Sequence, residues 1–324
     1  MKPQSHPFQP IRRLPAALIA VPNNDNEAQV TNTIIEAKGL KRSFKARGAK
    51  GKTIDAVRGI DLSVREGEIV GFLGPNGAGK TTTLKMLCTL LTPTDGSATV
   101  VGADLRRDPV EVRRRIGYGS QAGSTSPEAK VGEEIVSHAR LYGIDKQVAI
   151  QRGKELLAAL DLAEIWDRTC GSLSGGQRRR LDIVMGLIHQ PRLVFLDEPS
   201  TGLDPQSRAN LWNHIRKLRD ELGTTVFLTT HYMDEADSLS DRILIIDNGT
   251  IVAEGTPAEL KKRVSGDTIT LTLRTEADAA RSAEIAARLT GADAPVSEAN
   301  VVRFHVPDGA TALPVLLGDL TEAG

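Results

Sequence analysis

Gly74-Pro-Asn-Gly-Ala-Gly-Lys-Thr81 is the stretch from which the rest of the chain is read. It follows an apolar run, Glu68–Leu73, and opens a helical pattern at Lys80. Gly74, Gly77 and Gly79 let the backbone curl so that successive N–H groups face one anion, and the helix N-terminus adds its positive dipole end. Pro75, Asn76 and Ala78 complete the loop, and Thr82 continues the first helical turn. Lys80 is placed to reach the β- and γ-phosphates of a nucleotide, and the Thr81 hydroxyl to meet Mg2+. Strand, glycine loop and helix stand in the required order, so residues 74–82 are expected to hold nucleotide phosphates.

Two further stretches extend that chemistry. Leu193-Val-Phe-Leu-Asp-Glu198 is an apolar strand ending in paired carboxylates. By itself such a pair could be a helix cap or a surface feature. After a phosphate-binding loop, Asp197 is suited to hold Mg2+, directly or through water, and Glu198 to polarise an attacking water. Leu173-Ser-Gly-Gly-Gln177 repeats the loop's physical logic: a hydroxyl and close-approaching N–H groups at a helix start, offered to an anion.

With Leu173–Gln177 the chain resembles the ATP-binding cassette (ABC) family, whose signature that pentapeptide matches. The resemblance runs from about Thr33 to Val264 and implies an α/β P-loop NTPase core with a mixed sheet, an antiparallel β subdomain and a helical subdomain. It implies ATP as substrate and Mg2+ as cofactor. Glu198, His231 and Gln121 then take catalytic roles, and Thr81, Gln121 and Asp197 face the metal. Gln121, after the strand-like Ile116–Gly119, matches the glutamine that senses metal and water. Ser200-Thr-Gly-Leu-Asp204 matches the D-loop, and His231, after Thr225–Thr230, the switch histidine. Phe44, in Leu-Lys-Arg-Ser-Phe, matches the aromatic that stacks on adenine. Ser174, Gly175, Gly176 and Gln177, with Asp204, are implied to close over the nucleotide of another subunit, which makes a head-to-tail homodimer.

Between Ser174 and Leu260 the resemblance narrows to the ATPases of daunorubicin-resistance-type drug exporters. It is carried by Arg178-Arg-Arg-Leu-Asp182, Leu196-Asp-Glu-Pro-Ser-Thr-Gly-Leu-Asp-Pro205 and Leu228-Thr-Thr-His-Tyr-Met-Asp-Glu-Ala-Asp237. That group implies a separate permease of about six membrane helices and a peripheral position on the cytoplasmic face of the cell membrane. Export of a lipid or lipid-linked glycan is the alternative within transport. A non-transport ABC protein is the reading from another class; the second cassette, zinc-binding cysteines or long coiled coils typical of such proteins do not appear in this sequence. Two departures stand out: many members carry Tyr-Ser-Gly-Gly-Met, and many continue beyond a final helix where this chain ends at Gly324.

Composition bounds the rest. The 324 residues are 40% hydrophobic and 25% charged, enough for a core domain plus an appendage. Lys+Arg and Asp+Glu are equal at 41 each, which gives a nucleic-acid partner no support. Cys88 and Cys170 lie outside any CxxC pattern and fit a reducing compartment. No apolar run reaches the roughly 18–20 residues of a membrane helix. The short run Leu14–Val21, interrupted by Pro15, makes a poor signal peptide. Residues 1–31 read as a disordered tail, 32–265 as the ABC domain with helices at about 123–190, and 266–324 as a small β-α-β-α domain. The loop Lys45–Thr53 is Gly- and Lys-rich, and the basic clusters Arg113–Arg115, Arg178–Arg180 and Lys261–Arg263 read as solvated helix faces.

Overall fold

The structure, a computed structural model, describes residues 33–45, 53–120, 125–265, 267–289 and 294–323. The tail expected over 1–31, the interior of the Lys45–Thr53 loop and Gln121 lie outside the described residues. Contacts divide the chain into two units, which separate after Glu254.

In the first unit, β1 (Thr33–Lys45) and β2 (Thr53–Arg65) pair antiparallel, and with β4 (Asp95–Val100) and β5 (Ala103–Asp104) they form a sheet in the order β2-β1-β4-β5. Ile60, Leu62 and Val64 are buried at alternate positions, as period two requires. The β1–β2 register runs from Arg42↔Val57 to Ser43↔Asp55, which leaves Ala56 as the extra residue of a bulge. The second sheet is built on β3 (Ile69–Leu73), β6 (Ile116–Gly119), β7 (Leu193–Asp197), β8 (Thr225–Thr230), β9 (Arg242–Asp247) and β10 (Thr250–Gly255), in the order β10-β9-β3-β8-β7-β6. The neighbours β9, β3, β8, β7 and β6 run parallel. Every residue of β7 and β8 is buried, as expected of parallel strands covered on both faces. Phe227 meets Phe72 at 5.5 Å and Phe195 at 5.7 Å between ring centroids, which ties three adjacent strands together. Asn248 and Gly249 join β9 to β10 with φ of 47° and 80°, the positive pair a tight hairpin turn needs.

Helices α1 (Lys80–Leu87), α2 (Pro109–Arg115), α6 (Pro205–Leu222) and α7 (Met233–Leu239) accompany these sheets. The expected helical region holds α3 (Val131–Leu141), α4 (Lys146–Ala159) and α5 (Gly175–Leu187), whose buried side chains share one cluster with Ile69, Val194 and Val226 of the sheet. α5 and β6 approach closely: a methyl on Gly117 would overlap the carbonyl oxygen of Gly186. Gly117→Ala is expected to cost about 1–3 kcal/mol of unfolding free energy. Urea denaturation checks this; an unchanged midpoint would contradict the close approach.

His189, just beyond α5, donates from Nε2 to the Ile116 carbonyl at 2.9 Å and stacks on Tyr142 at 3.8 Å. Burial pulls its pKa down to about 4 from the ordinary 6.5. Its contribution is therefore complete above pH 6.5 and is lost as pH falls towards 4. His189→Gln should flatten part of the stability loss over that window, read as urea midpoints at pH 7 and pH 4.5.

The second unit begins at Gly255 and contains α8 (Pro257–Ser265), β11 (Asp267–Thr272), α9 (Glu276–Ala286), β12 (Val296–Glu298), β13 (Val301–Val306) and α10 (Gly309–Ala323). Its antiparallel sheet has the order β11-β13-β12, with Ile269, Val302, Phe304 and Leu316 in its core. The short β12, paired with β13, was not legible as a strand, because all three of its side chains are exposed.

Candidate active site

The parallel sheet places the carboxyl ends of β3, β8 and β7 side by side, where open α/β sheets bind ligands. β3 runs into the glycine loop, β7 ends at Asp197 and β8 is followed by His231. Gly79 has φ of 110°, and a methyl there would stand 2.6 Å from the carbonyl oxygen of Ala56, the bulged residue of β2. A methyl on Gly74 would overlap the Ile246 carbonyl oxygen. The loop is therefore wedged between β2 and β9, and only glycine fits at both positions.

Lys80 is 4% exposed, and its ammonium donates to the carbonyls of Gly74 at 2.8 Å and Pro75 at 3.0 Å. It lies 3.5 Å from Glu198 Oε1. His231 Nδ1 lies 3.4 Å from the same oxygen, without hydrogen-bond alignment. Its ring packs on Tyr232 at 4.0 Å, and the Arg208 guanidinium covers Tyr232 at 4.6 Å. Asp197 Oδ1 accepts from the hydroxyls of Thr81 at 3.0 Å and Thr229 at 2.8 Å. Glu198 has φ of 47°, a left-handed conformation unusual for a residue with a side chain. Its amide donates to the Thr229 carbonyl at 3.1 Å and hydroxyl at 3.0 Å, while Thr201 Oγ1 donates to Oε2 at 3.3 Å. A cleft of about 550 Å³ is lined by Ala56, Asn76, Gly77, Gly79, Lys80, Thr81, Thr82, Glu198, Thr201 and His231.

Below these groups, Ser200 Oγ donates to Glu235 Oε1, which also accepts from Trp212 Nε1 at 3.2 Å. Burial raises the Glu235 carboxyl above its ordinary range, against the hydrogen bonds that pull it down. Tyr118 of β6 is pushed up to about 12, by burial first and then by the Asp197 charge.

Other expected site residues stand elsewhere. Ser174 caps α5: its hydroxyl accepts from the Gln177 amide at 3.2 Å, and the Gln177 side chain accepts from the Ser174 amide at 3.0 Å. Gly176 faces Ser207 of α6; a methyl there would sit 3.2 Å from the Ser207 hydroxyl. Asp204 caps α6, taking the Ser207 amide at 2.9 Å and hydroxyl at 2.6 Å. Phe44 is 36% exposed with the Arg42 guanidinium 4.8 Å from its ring centre, so it is not a core residue. None of these lines the cleft.

The reading of Arg178–Arg180 as a solvated face is corrected at Arg179, which is 8% exposed. It donates from Nε to the Pro199 carbonyl at 2.8 Å, from one terminal nitrogen to the Asp197 carbonyl at 2.6 Å, and from the other to the Ser120 carbonyl. Arg180 also turns inward, donating to the Leu160 carbonyl at 3.1 Å. Burial lowers the Arg179 pKa, with Asp182 and Asp197 opposing. The signal in the sequence is Arg179 and Asp182, opposite charges three apart on a helix otherwise buried through Leu181, Ile183 and Val184.

Known proteins place the chain in a family. The family profile described as ABC transporter matches residues 57–201. The daunorubicin/doxorubicin resistance ATP-binding protein DrrA of Streptomyces peucetius is 46% identical over 256 residues, 78% of this chain and 75% of that protein. The doxorubicin resistance ATP-binding protein DrrA of Mycobacterium tuberculosis is 44% identical, covering 76% of this chain and 70% of the other. The linearmycin resistance ATP-binding protein LnrL of Bacillus subtilis is 37% identical over 73% of each. Among solved structures, the dimeric bacterial ABC transporter cassette MJ0796 superposes with a TM-score of 0.63 at 25% identity, over 69% of this chain and 98% of that one. With its glycine loop, its paired carboxylates and its signature helix assembled on one α/β core, this chain belongs to the ABC transporter family, among the ATP-hydrolysing subunits of the daunorubicin/doxorubicin-resistance type.

Proposed function

We propose that this chain hydrolyses ATP in the cleft between Asn76–Thr82 and Glu198–His231 to power efflux of a drug or other hydrophobic compound. The membrane path is assigned to a separate permease of about six helices, since among the described residues no helix is long and apolar enough to cross a membrane. The chain then works from the cytoplasmic face of the membrane. The observation that carries the reading is the convergence on Glu198 Oε1 of the Lys80 ammonium at 3.5 Å and His231 Nδ1 at 3.4 Å.

In this reading the phosphates take the place of the Gly74 and Pro75 carbonyls as acceptors for Lys80. Glu198 then holds the attacking water and draws off its proton, and His231 steadies the γ-phosphate. Thr81 and Asp197, with hydroxyl and carboxylate oxygens 3.0 Å apart, would hold Mg2+. That donor set suits an ion that keeps several waters and takes one or two carboxylates plus phosphate oxygens. When bound, the ion supplies charge neutralisation to the phosphates. Gln121, matched by resemblance alone, is assigned to metal and water, and Phe44 to adenine.

Ser174, Gly175, Gly176 and Gln177 line no part of their own chain's cleft. We assign them, with Asp204, to a second copy's nucleotide in a head-to-tail homodimer. The drug assignment rests on the resistance names of the relatives; no observation favours lipid or lipid-linked glycan export. Co-expression with a six-helix permease that co-purifies with it should lower doxorubicin accumulation in cells and lose that effect with Glu198→Gln. Equal accumulation with and without the pair would overturn the drug assignment.

A further inference from the structure

Among the described basic residues of the first unit, Arg179 stands apart because its guanidinium gathers backbone from three places. A guanidinium is a planar fork of five N–H donors with fixed directions. Here three of its nitrogens meet the carbonyls of Ser120, Asp197 and Pro199. Asp197 and Pro199 flank Glu198 in sequence, so one rigid plane holds the carbonyl of the peptide that enters Glu198 and the carbonyl of the residue that follows it. Ser120 directly follows β6, the edge strand of the same sheet.

The clamp has a task that packing alone leaves undone. Glu198 holds φ of 47°, a strained conformation that a non-glycine residue keeps only where its surroundings over-determine it. The amide of Glu198 is held from β8 by Thr229, and the carbonyls on either side of it by Arg179. Together they fix the direction in which the carboxylate leaves the backbone, towards Lys80 and His231. A buried cation is an expensive way to fill space, and an apolar side chain of similar volume would do so at less cost.

The clamp is also mounted on a particular lever. Arg179 lies on α5, whose first turn is capped by Ser174. Arg179 lies five positions beyond Ser174, about 7–8 Å along a rigid helix. A displacement at Ser174–Gly176 is therefore carried by the helix to the carbonyls around Glu198. We propose that Arg179 is a positioning residue that ties the signature end of α5 to the hydrolytic carboxylate of the same chain. Engagement of Ser174–Gly176 by the nucleotide of a second copy thereby sets the geometry of this chain's own Glu198. The coupling half of this proposal rests on the homodimer reading; the positioning half holds within one chain.

The test is Arg179→Lys on the full-length chain. Lysine keeps the charge but replaces the fork with a single ammonium that cannot span three diverging carbonyls. Four quantities are read: ATP affinity by isothermal titration, kcat, the Hill coefficient for ATP, and the thermal midpoint. Positioning predicts ATP affinity within about twofold of the parent and kcat lower by about tenfold or more. Coupling predicts that a Hill coefficient above 1 in the parent falls to 1 in the variant. If Arg179→Lys is too unstable to assay, Arg179→Gln, a neutral fork with two donors, is read in the same way.

A kcat within twofold of the parent would overturn the positioning role, as would equal losses in kcat and ATP affinity. A parent that stays monomeric with ATP, and keeps a Hill coefficient of 1 throughout, would overturn the homodimer reading and the coupling with it. In that case, a selective loss of kcat in Arg179→Lys would still uphold the positioning role. A cooperative parent whose cooperativity survives in the variant would overturn the coupling while leaving the dimer intact.

Discussion

Glu198→Gln will leave ATP bound and nearly unhydrolysed. The amide matches the carboxylate in shape, so the left-handed backbone at 47° and the bonds of its N–H to Thr229 are retained. What is lost is the group able to take a proton from water. General-base catalysis contributes about 10²–10⁴-fold, so kcat should fall by roughly a thousandfold, near 4 kcal/mol of barrier. Affinity should hold or rise, because the carboxylate 3.5 Å from Lys80 competes with phosphate for the same ammonium. Steady-state phosphate release and equilibrium ATP titration separate the two effects. In the proposed homodimer, size-exclusion chromatography with ATP should show a persistent dimer. Turnover within threefold of the parent would mean that another group is the base.

Lys80→Ala acts on the opposite quantity. The ammonium is buried, and its donors are turned inward onto the Gly74 and Pro75 carbonyls at 2.8 and 3.0 Å. Those are the donors that phosphate oxygens would take over. Hydrogen bonds to charged groups contribute about 1.5–3 kcal/mol each, so losing the lysine should weaken ATP binding by roughly 10²-fold. The substitution also strips a donor from two loop carbonyls and the nearest cation from Glu198, so the loop itself should become less stable. Lys80→Arg is not expected to rescue binding, since a wide planar fork cannot occupy the space of a point charge that is 4% exposed. Titration with ATP in the presence and absence of Mg2+ checks both variants; affinity within threefold of the parent would show that Lys80 is not the phosphate ligand.

The two variants differ in how openly the sequence declared them. Lys80 belongs to one contiguous octapeptide in which each residue type has a local reason: glycines for the curl, a helix start for the dipole, a lysine for the charge. Glu198 needed a second stretch more than a hundred residues further on, yet an apolar strand ending in two acids is itself a local signal. α3, α4 and α5 fall inside the helical region expected over about 123–190, because their apolar spacing follows the helical period and Ser174 and Asp145 cap two of their starts. β7 and β8 were legible as short all-apolar or β-branched runs. β4, β5 and the β9–β10 hairpin were not, because their residues alternate weakly and their pairing is long-range or turn-driven.

Arg179 marks the limit most sharply. Its partners are three backbone carbonyls, at Ser120, Asp197 and Pro199, and a carbonyl carries no letter of its own in a sequence. Ala56 makes the same point from the other side: an alanine in a strand says nothing, but the bulge presses its carbonyl against Gly79. The order of residues alone determined the phosphate-binding loop, the acid pair, the signature helix start and the family, because each is written in neighbouring side chains. Tertiary structure alone decided that Lys80, Glu198 and His231 share one cleft, that Ser174 stands outside it, and that a buried arginine grips the backbone on both sides of Glu198. Those facts depend on which strands lie side by side, and a chain has that property only once it is folded.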